Sequence, residues 1–310
     1  MKPVAIVFKQ GKLDSKLSNI EALPKEIKFS AKGSDVSLDA SANTEFKIPI
    51  HIKYLDGCEN LNFKINLDKN SNIVILEEFC FSDLDDYSTN AKLDINLKEN
   101  SSLNYYKLQL ENTNSLHDTK INLKQFDSAK INMFFADFGS KEATTNINAD
   151  LDEKGALCEM IGIYYLNQDN HKINNFIDVN HNDEHCSSSM IFKGVLDKKS
   201  SSVFRGKVYV DKAAKGTKAH QENHNLLLSQ NSSAGSMPEL EVYSDDVECT
   251  HGATCGELDD NALFYLRSRG IEENAARNIL TEAFIAEIFE NINNQEIKKY
   301  IKSMVVLHNE

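Results

Sequence analysis

The residues best suited to chemistry lie in the run Val247-Glu248-Cys249-Thr250-His251-Gly252-Ala253-Thr254-Cys255. On a β-strand alternate side chains share a face, so Val247, Cys249 and His251 would project together. A thiol and an imidazole two residues apart suit iron or zinc, or a persulfide. The plainer reading is a buried cysteine beside a hydrogen-bonded histidine, and the run alone leaves both open. A second group is His181, His185 and Cys186. On a strand His181 and His185 share a face but stand too far apart to hold one ion, unless Asn182-Asp183 makes a turn. Polar residues at a corner of the chain are the simpler reading. His220 and His224 bracket Gln221, Glu222 and Asn223, a spacing that invites comparison with metalloproteases. Here the glutamate is third in the run rather than second, and the surroundings are strand-rich rather than helical, so that reading is rejected.

Other chemistries find no support. The sequence holds no GxxxxGK[ST] loop, no GxGxxG after a strand and no GxSxG, the marks of phosphate, dinucleotide and serine-nucleophile sites. A carbohydrate-active β-helix enzyme needs acids gathered in a groove. The carboxylates here are plentiful but form no compact cluster. The chain has 34 Lys and Arg against 47 Asp and Glu, a net charge of −13. That balance argues against general binding to nucleic acid or anionic lipid. No apolar run is long enough for a membrane span. Met1 to Phe8 is apolar only briefly and lacks a cleavage pattern, so a cytoplasmic protein is expected. Cys58, Cys80, Cys158, Cys186, Cys249 and Cys255 are scattered without a CxxC pair. Most are expected to be buried free thiols rather than a structural zinc site.

The elements that must carry these residues are strands over most of the chain. Lys92-Leu93-Asp94-Ile95-Asn96-Leu97, Lys120 to Lys124 and Asn146 to Leu151 alternate polar and apolar residues with period two, as half-buried strands do. Turn-forming clusters punctuate them at Lys69-Asn70-Ser71, Glu99-Asn100-Ser101, Phe126-Asp127-Ser128, Lys154-Gly155-Ala156 and Lys199-Ser200-Ser201. Their steps are roughly 27 to 30 residues, with one longer gap. Such a repeat in an all-strand region suggests stacked coils. A β-sandwich is the competing architecture.

The pattern changes after about residue 255. Asp259-Asp260 precede Leu263 and Leu266 and a stop at Gly270, which predicts a short capped helix. A second helix opens near Glu272, with Ala276, Ile279, Leu280, Ala283, Phe284 and Ile288 on its apolar stripe. A third carries Ile297, Tyr300, Ile301, Met304 and Val305. These stripes either dock on the strand body or receive a partner. The expected division is a short N-terminal segment (1–30), a strand core (31–255) and a C-terminal helical region (256–310).

The C-terminal third resembles the SufB/SufD family of iron–sulfur cluster assembly scaffold proteins. The resemblance runs through Asn180-His181, His185-Cys186, Phe192-Lys193-Gly194-Val195-Leu196, and Val203-Phe204-Arg205-Gly206-Lys207-Val208. It continues through Gly216-Thr217-Lys218-Ala219-His220-Gln221, Asn225 to Ser229 and Met237-Pro238-Glu239-Leu240. It ends in Asp245 to Thr254 and Leu263-Phe264-Tyr265-Leu266-Arg267-Ser268-Arg269-Gly270-Ile271. Coverage is about residues 175 to 290. The SufB branch would carry cysteines where this chain has Leu266 and near Asn223; the run Leu266 to Gly270 and the Cys-x-His-Gly-Ala-Thr form resemble the SufD branch.

The resemblance implies a mainly β fold, a right-handed parallel β-helix followed by a C-terminal α-helical region. It implies pairing with SufB through the β-helices and binding of the SufC ATPase through the C-terminal helices. Leu263, Phe264, Tyr265, Arg267, Arg269 and Phe284 are the candidate partner-binding residues. It further implies a transient iron–sulfur cluster at the SufB interface, with His251 as metal ligand; Cys249 joins it as a candidate because the two share a strand face. No nucleotide is expected on this chain, and the isolated chain would be able to pair with itself. Cys255 stands where the family has an aliphatic residue and is expected to be a core substitution rather than a ligand. Family members often carry an N-terminal helical domain, whereas residues 1–30 here look strand-like.

Overall fold

The structure is a computed structural model that describes residues 4–84 and 86–308, with side chains described as far as Met304. Met1 to Pro3 and the side chain of Val305 lie outside the described residues. The first strands are β1 (Val4–Lys9), β2 (Lys12–Leu13), β3 (Ile27–Lys32), β4 (Asp35–Ala40), β5 (Glu45–Leu55), β6 (Cys58–Leu67) and β7 (Asn72–Phe79). Then come β8 (Ser88–Leu97), β9 (Ser102–Gln109), β10 (Leu116–Gln125), β11 (Lys130–Asp137), β12 (Glu142–Leu151) and β13 (Leu157–Leu166). The last are β14 (Lys172–His181), β15 (Ser187–Leu196), β16 (Ser201–Val210), β17 (Thr217–Leu227), β18 (Ser233–Val242) and β19 (Val247–Glu257). Three helices follow: α1 (Asp260–Ser268), α2 (Glu273–Ala286) and α3 (Gln295–His308).

From β4 onward successive strands alternate between two sheets, and each pairs in parallel with the strand two places on. The result is a parallel β-solenoid, as the repeat of turn clusters and the family resemblance lead one to expect. The stack ends differently at its two ends. At the N-terminal end the parallel order is closed by antiparallel pairs, β1 with β2 and β3 with β4. Residues 4–32 are thus tied into the sheets: β1 lies parallel to β5 across six residue pairs. At the other end β18 and β19 are the outer strands of their sheets.

One corner of the coil explains the spacing of the turn clusters. Asn43, Asn70, Asn100, Ser128, Gly155, His185 and Gly216 all have positive φ and stack one above another. The amide of Asn70 donates to Glu99 O at 3.0 Å, that of Gly155 to Glu184 O at 3.0 Å, and that of His185 to Lys215 O at 2.7 Å. Asn and Gly tolerate this conformation, which explains their recurrence. Lys199-Ser200-Ser201 belongs to the opposite corner, so the apparent long gap comes from mixing two series. The turn missing from the first series is at His185. This settles the second histidine group: His185 serves the corner, and a Cβ on Gly216 would come within 2.3 Å of its Nδ1.

The lumen is apolar through most rungs, with Leu38, Phe63, Ile65, Ile75, Leu103, Ile121 and Phe135 among its fully buried side chains. Inside it lies a charged network. Lys107 Nζ is 3.0 Å from Asp137 Oδ1, both side chains being at most 3% exposed. Tyr54 donates to Glu77 at 2.9 Å, and Tyr105 also donates to Glu77. Burial pushes the Glu77 carboxyl above its ordinary range, against the opposing pull of the two tyrosines and Lys107.

Helices α2 and α3, with the 3-10 turn Glu287–Asn291 between them, cover the outer face of the sheet that holds β7, β9, β11, β13 and β15. Ile285, Ile288, Phe289, Ile292, Ile297 and Ile301 pack on Leu76, Leu108, Phe134, Ile163 and Val195. The strands beneath are therefore apolar on both faces. The buried stripe of α2 is partly rotated from the sequence reading. It runs through Ala276, Thr281 and Ile285, while Ile279 is left 44% exposed and Ala283 is exposed. The expected stripe holds at Ala276 and Ile288, which are buried, and at Leu280 and Phe284, which are half-buried; it misses Thr281, a polar residue on the buried face.

An ionic anchor fixes α3. Tyr300 donates to Glu78 Oε1 at 2.9 Å, and His51 Nε2 and Lys53 Nζ stand 2.5 and 3.2 Å from Glu78 Oε2. Burial alone would raise the Glu78 pKa, but the His51 bond, Lys53 and Tyr300 outweigh it and hold it at about 2. A depressed carboxylate stabilises the fold above its unfolded pKa, and that contribution is lost as pH falls toward the folded value. Hydrogen exchange along α3 should therefore accelerate as pH drops from the ordinary glutamate range toward 2, relative to exchange in β11. In Tyr300→Phe, which removes a bond to a charged group worth about 1.5–3 kcal/mol, α3 should exchange faster already at neutral pH. Equal protection in the two proteins would contradict the anchor.

Candidate functional site

β19 is the last rung of its sheet, and its register against β17 fixes what each side chain faces. Cys249 lies over Ala219, His251 over Gln221, Ala253 over Asn223 and Cys255 over Asn225. The β17 partners are all buried in the lumen. Cys249, His251 and Cys255 therefore share the lumen-side face of a rung with no described strand beyond it. Cys249 is half-buried against the core and His251 is exposed. Burial pushes the Cys249 thiol up, opposed by the backbone amide of Ala219.

Cys255 corrects an expectation. It is not a core residue but exposed. Its parity is that of a lumen residue, yet no described strand covers that part of β19. It stands six residues from Cys249, about 20 Å along a strand, so the two thiols do not share one ion. Of the other cysteines, Cys58, Cys158 and Cys186 are buried and Cys80 is half-buried, all without disulfides. His181 is also accounted for: it is fully buried, its Nε2 is 2.8 Å from Ser188 Oγ, and burial lowers its pKa to about 4.

The floor beneath β19 is polar, in contrast to the apolar rungs below. Tyr164 donates to Asn225 Oδ1 at 2.6 Å and accepts from Asn223 Nδ2 at 3.2 Å, and Asn225 donates to Asn223 at 2.7 Å. These lumen partners escaped the sequence reading because strand register is set by pairing, which no single strand reveals. On the outer face, Glu222 lies between His220 and His224 at 3.2 and 3.1 Å, and on β19 His220 meets Thr250 and His224 meets Thr254, each at 2.8 Å. The two histidines thus hook the last rung to its neighbour. The Glu222 carboxyl is held below its ordinary range, chiefly by the His224 bond.

Among the described residues, no group of three His, Cys, Asp or Glu could hold a metal ion. Cys249 and His251 offer at most part of a coordination sphere, and iron sites in sulfur clusters need more ligands. The rung ends in an unpaired edge of eleven residues, and β18 in one of ten. Long open edges invite pairing with another chain. Met237, Val242 and Tyr243 beside them are 47%, 38% and 58% exposed, a second feature of an interaction surface.

The C-terminal helices present a separate surface. Asp259 caps α1 by accepting from Asn261 N at 2.8 Å, and Glu272 caps α2. Phe264 is 73% and Tyr265 57% exposed. Arg269 Nη2 donates to the Tyr265 hydroxyl at 3.3 Å, its guanidinium 5.2 Å from the ring, and Arg267 pairs with Glu273 at 3.1 Å. Leu263 is half-buried and lines a cavity of about 240 Å³ with Leu227, Leu228 and Arg277. Phe284 stands apart from this group: it packs toward the solenoid, with Lys193 Nζ 5.1 Å from its ring. Among the described residues no helix is long and apolar enough to cross a membrane.

Comparison with known proteins places the chain in a family. Residues 57–284 match the family model described as SUF system FeS cluster assembly, SufBD core domain. The iron–sulfur cluster assembly SufBD family protein slr0076 of Synechocystis is 29% identical over 269 residues, covering 81% of this chain and 58% of that protein. The iron–sulfur cluster assembly protein SufD of Escherichia coli is 28% identical over 241 residues, 78% of this chain and 57% of the relative. The chloroplastic protein ABCI7 of Arabidopsis thaliana is 27% identical over 271 residues, 83% and 57% of the two chains. The aligned part thus spans under two thirds of the length of these relatives. With the family model matching well over half of the sequence, the chain belongs to the SufB/SufD family of iron–sulfur cluster assembly proteins.

Proposed function

We propose that the chain is a scaffold subunit whose open solenoid end pairs with SufB, and that a nascent iron–sulfur cluster is assembled at the seam. Cys249 and His251 supply this chain's side of the site, with His251 as the iron ligand. Soft thiolate from the partner completes the coordination. The observation that carries this reading is the placement of both side chains on the lumen face of an unpaired last rung. The cluster is cargo and leaves with its recipient. The chain itself catalyses no reaction and binds no nucleotide; SufC binds the α1–α2 surface and supplies the energy of ATP hydrolysis. The acidic, membrane-span-free sequence fits work in the cytoplasm. In the absence of SufB, two copies of the chain pair through the same edges.

Co-purification from native extract tests the assembly. A tagged chain should bring down an ABC-type ATPase and a second solenoid subunit in stable ratio. Recovery of the chain alone, with turnover of a polysaccharide, would replace this reading with that of a carbohydrate-active enzyme. Recovery of the complex with a dispensable His251 would reduce the chain to a structural connector.

A further inference from the structure

The middle of β19 is nearly palindromic. From Gly252 outward in either direction come one lumen-side residue, a threonine and a cysteine. Such a strand can pair with a second copy of itself, antiparallel about a twofold axis through Gly252. The free backbone groups allow that register. Lys218 N donates to Cys186 O at 3.1 Å, so on β17 the even-numbered residues bond back to β15 and the odd-numbered ones face β19. In a parallel ladder this leaves the odd-numbered residues of β19 with their N–H and C=O at the open edge. About Gly252 odd residues meet odd residues, as an antiparallel ladder requires. The side chains allow it too. Thr250 meets Thr254, a favourable cross-strand pair, while Glu248 meets Gly256 and Val247 meets Glu257, so no like charges are opposed. Gly252 meets itself, with no side chain to crowd the axis.

This pairing changes what the cysteines can do. Within one chain Cys249 and Cys255 stand too far apart to share an ion. Across the seam Cys249 lies directly opposite Cys255 of the second copy, on the same lumen-side face, with His251 next along its own strand. Directly opposed residues have Cβ atoms about 4.5–5.5 Å apart. That is wide for a disulfide, which holds them at about 3.5–4.5 Å. It suits two thiolates on one ion, with metal–sulfur bonds of about 2.3 Å. Cys249 is half-buried, and His251 and Cys255 are exposed, so all three are open to an incoming ion. We propose that two copies of the chain, paired along β19 about Gly252, bind a zinc-type divalent cation at two equivalent sites, each made of Cys249 and His251 of one copy and Cys255 of the other. Neither copy holds the three ligands alone. Cys255, which the cluster-assembly reading leaves unused, completes the site. The inference rests on the self-pairing stated above and not on the role of His251 in cluster assembly.

The test uses the full chain alone, reduced, with Co²⁺ as the probe, followed by sedimentation velocity and by thiolate-to-cobalt absorption. The natural chain should be a dimer that tightens as Co²⁺ is added and takes up one ion per chain. Cys255→Val and Cys249→Ser should each still pair without metal but lose tight Co²⁺ binding. Mixed in equal amounts, the two variants should recover it. A hybrid pair holds one whole site, with Cys249 and His251 from the Cys255→Val chain and Cys255 from the Cys249→Ser chain. With random pairing the mixture should take up about a quarter of the natural amount. Cys249→Ala serves if Cys249→Ser does not fold. A monomer with and without Co²⁺ would overturn the self-pairing and the site with it. A dimer whose Co²⁺ binding survives Cys255→Val, or is not recovered in the mixture, would overturn the site and leave the self-pairing standing.

Discussion

Lys107→Met should cost the solenoid about 3–5 kcal/mol, the usual penalty for stripping one partner from a buried ion pair. Lys107 is fully buried, and Asp137 is its partner at 3.0 Å. The substitution keeps the volume of the chain but leaves the Asp137 carboxylate inside the lumen without its cation. It also removes a positive charge that opposes the desolvation of Glu77. Against a typical folding stability of about 5–15 kcal/mol, that loss is large. Urea unfolding followed by circular dichroism should show a much lower midpoint. The double variant Lys107→Met/Asp137→Leu should recover a substantial part of it, because an apolar pair of similar volume removes both desolvation costs. A single variant as stable as the natural protein would mean that the pair is not buried as described.

Replacing Phe264 by Asp should weaken binding to SufC by 30-fold or more, taking about 2 kcal/mol as the threshold for an aromatic hot spot. The ring is 73% exposed and contributes little to the fold, so the thermal midpoint of the isolated chain should stay unchanged. Tyr265→Ala should weaken binding less, since its hydroxyl and ring are already engaged by Arg269. Phe284→Ala should show the reverse pattern, lower stability with a smaller direct effect on affinity, because its ring packs on the body. Calorimetric titration with SufC separates the two. Unchanged affinity in Phe264→Asp would remove α1 from the proposed interface.

Much of this was legible in the residues. The alternation at Lys92 to Leu97 became part of β8, with Leu93, Ile95 and Leu97 buried. The Asp259 cap and the Gly270 stop bracket α1 as read. Local patterns of this kind are written into short stretches and need no tertiary information. What required the structure depends on pairing. Cys255 has the parity of a core residue and fails to be one because no described strand covers the last rung. The face of α2 was only partly legible, because a buried threonine counts as polar in any hydropathy pattern. His185 looked like a possible ligand until the stacked corner gave it a backbone duty. The pairing of His251 with Gln221 is invisible without register, since thirty residues separate them in the chain.

The central claim is that the imidazole of residue 251 takes part in building the cluster. Cluster formation on the purified complex of this chain with SufB and SufC, supplied with iron and sulfide and followed by Mössbauer spectroscopy, tests it directly. His251→Ala should assemble into the complex normally and fold as the natural chain does, yet hold little or no iron–sulfur cluster. A full cluster complement in that variant would contradict the account.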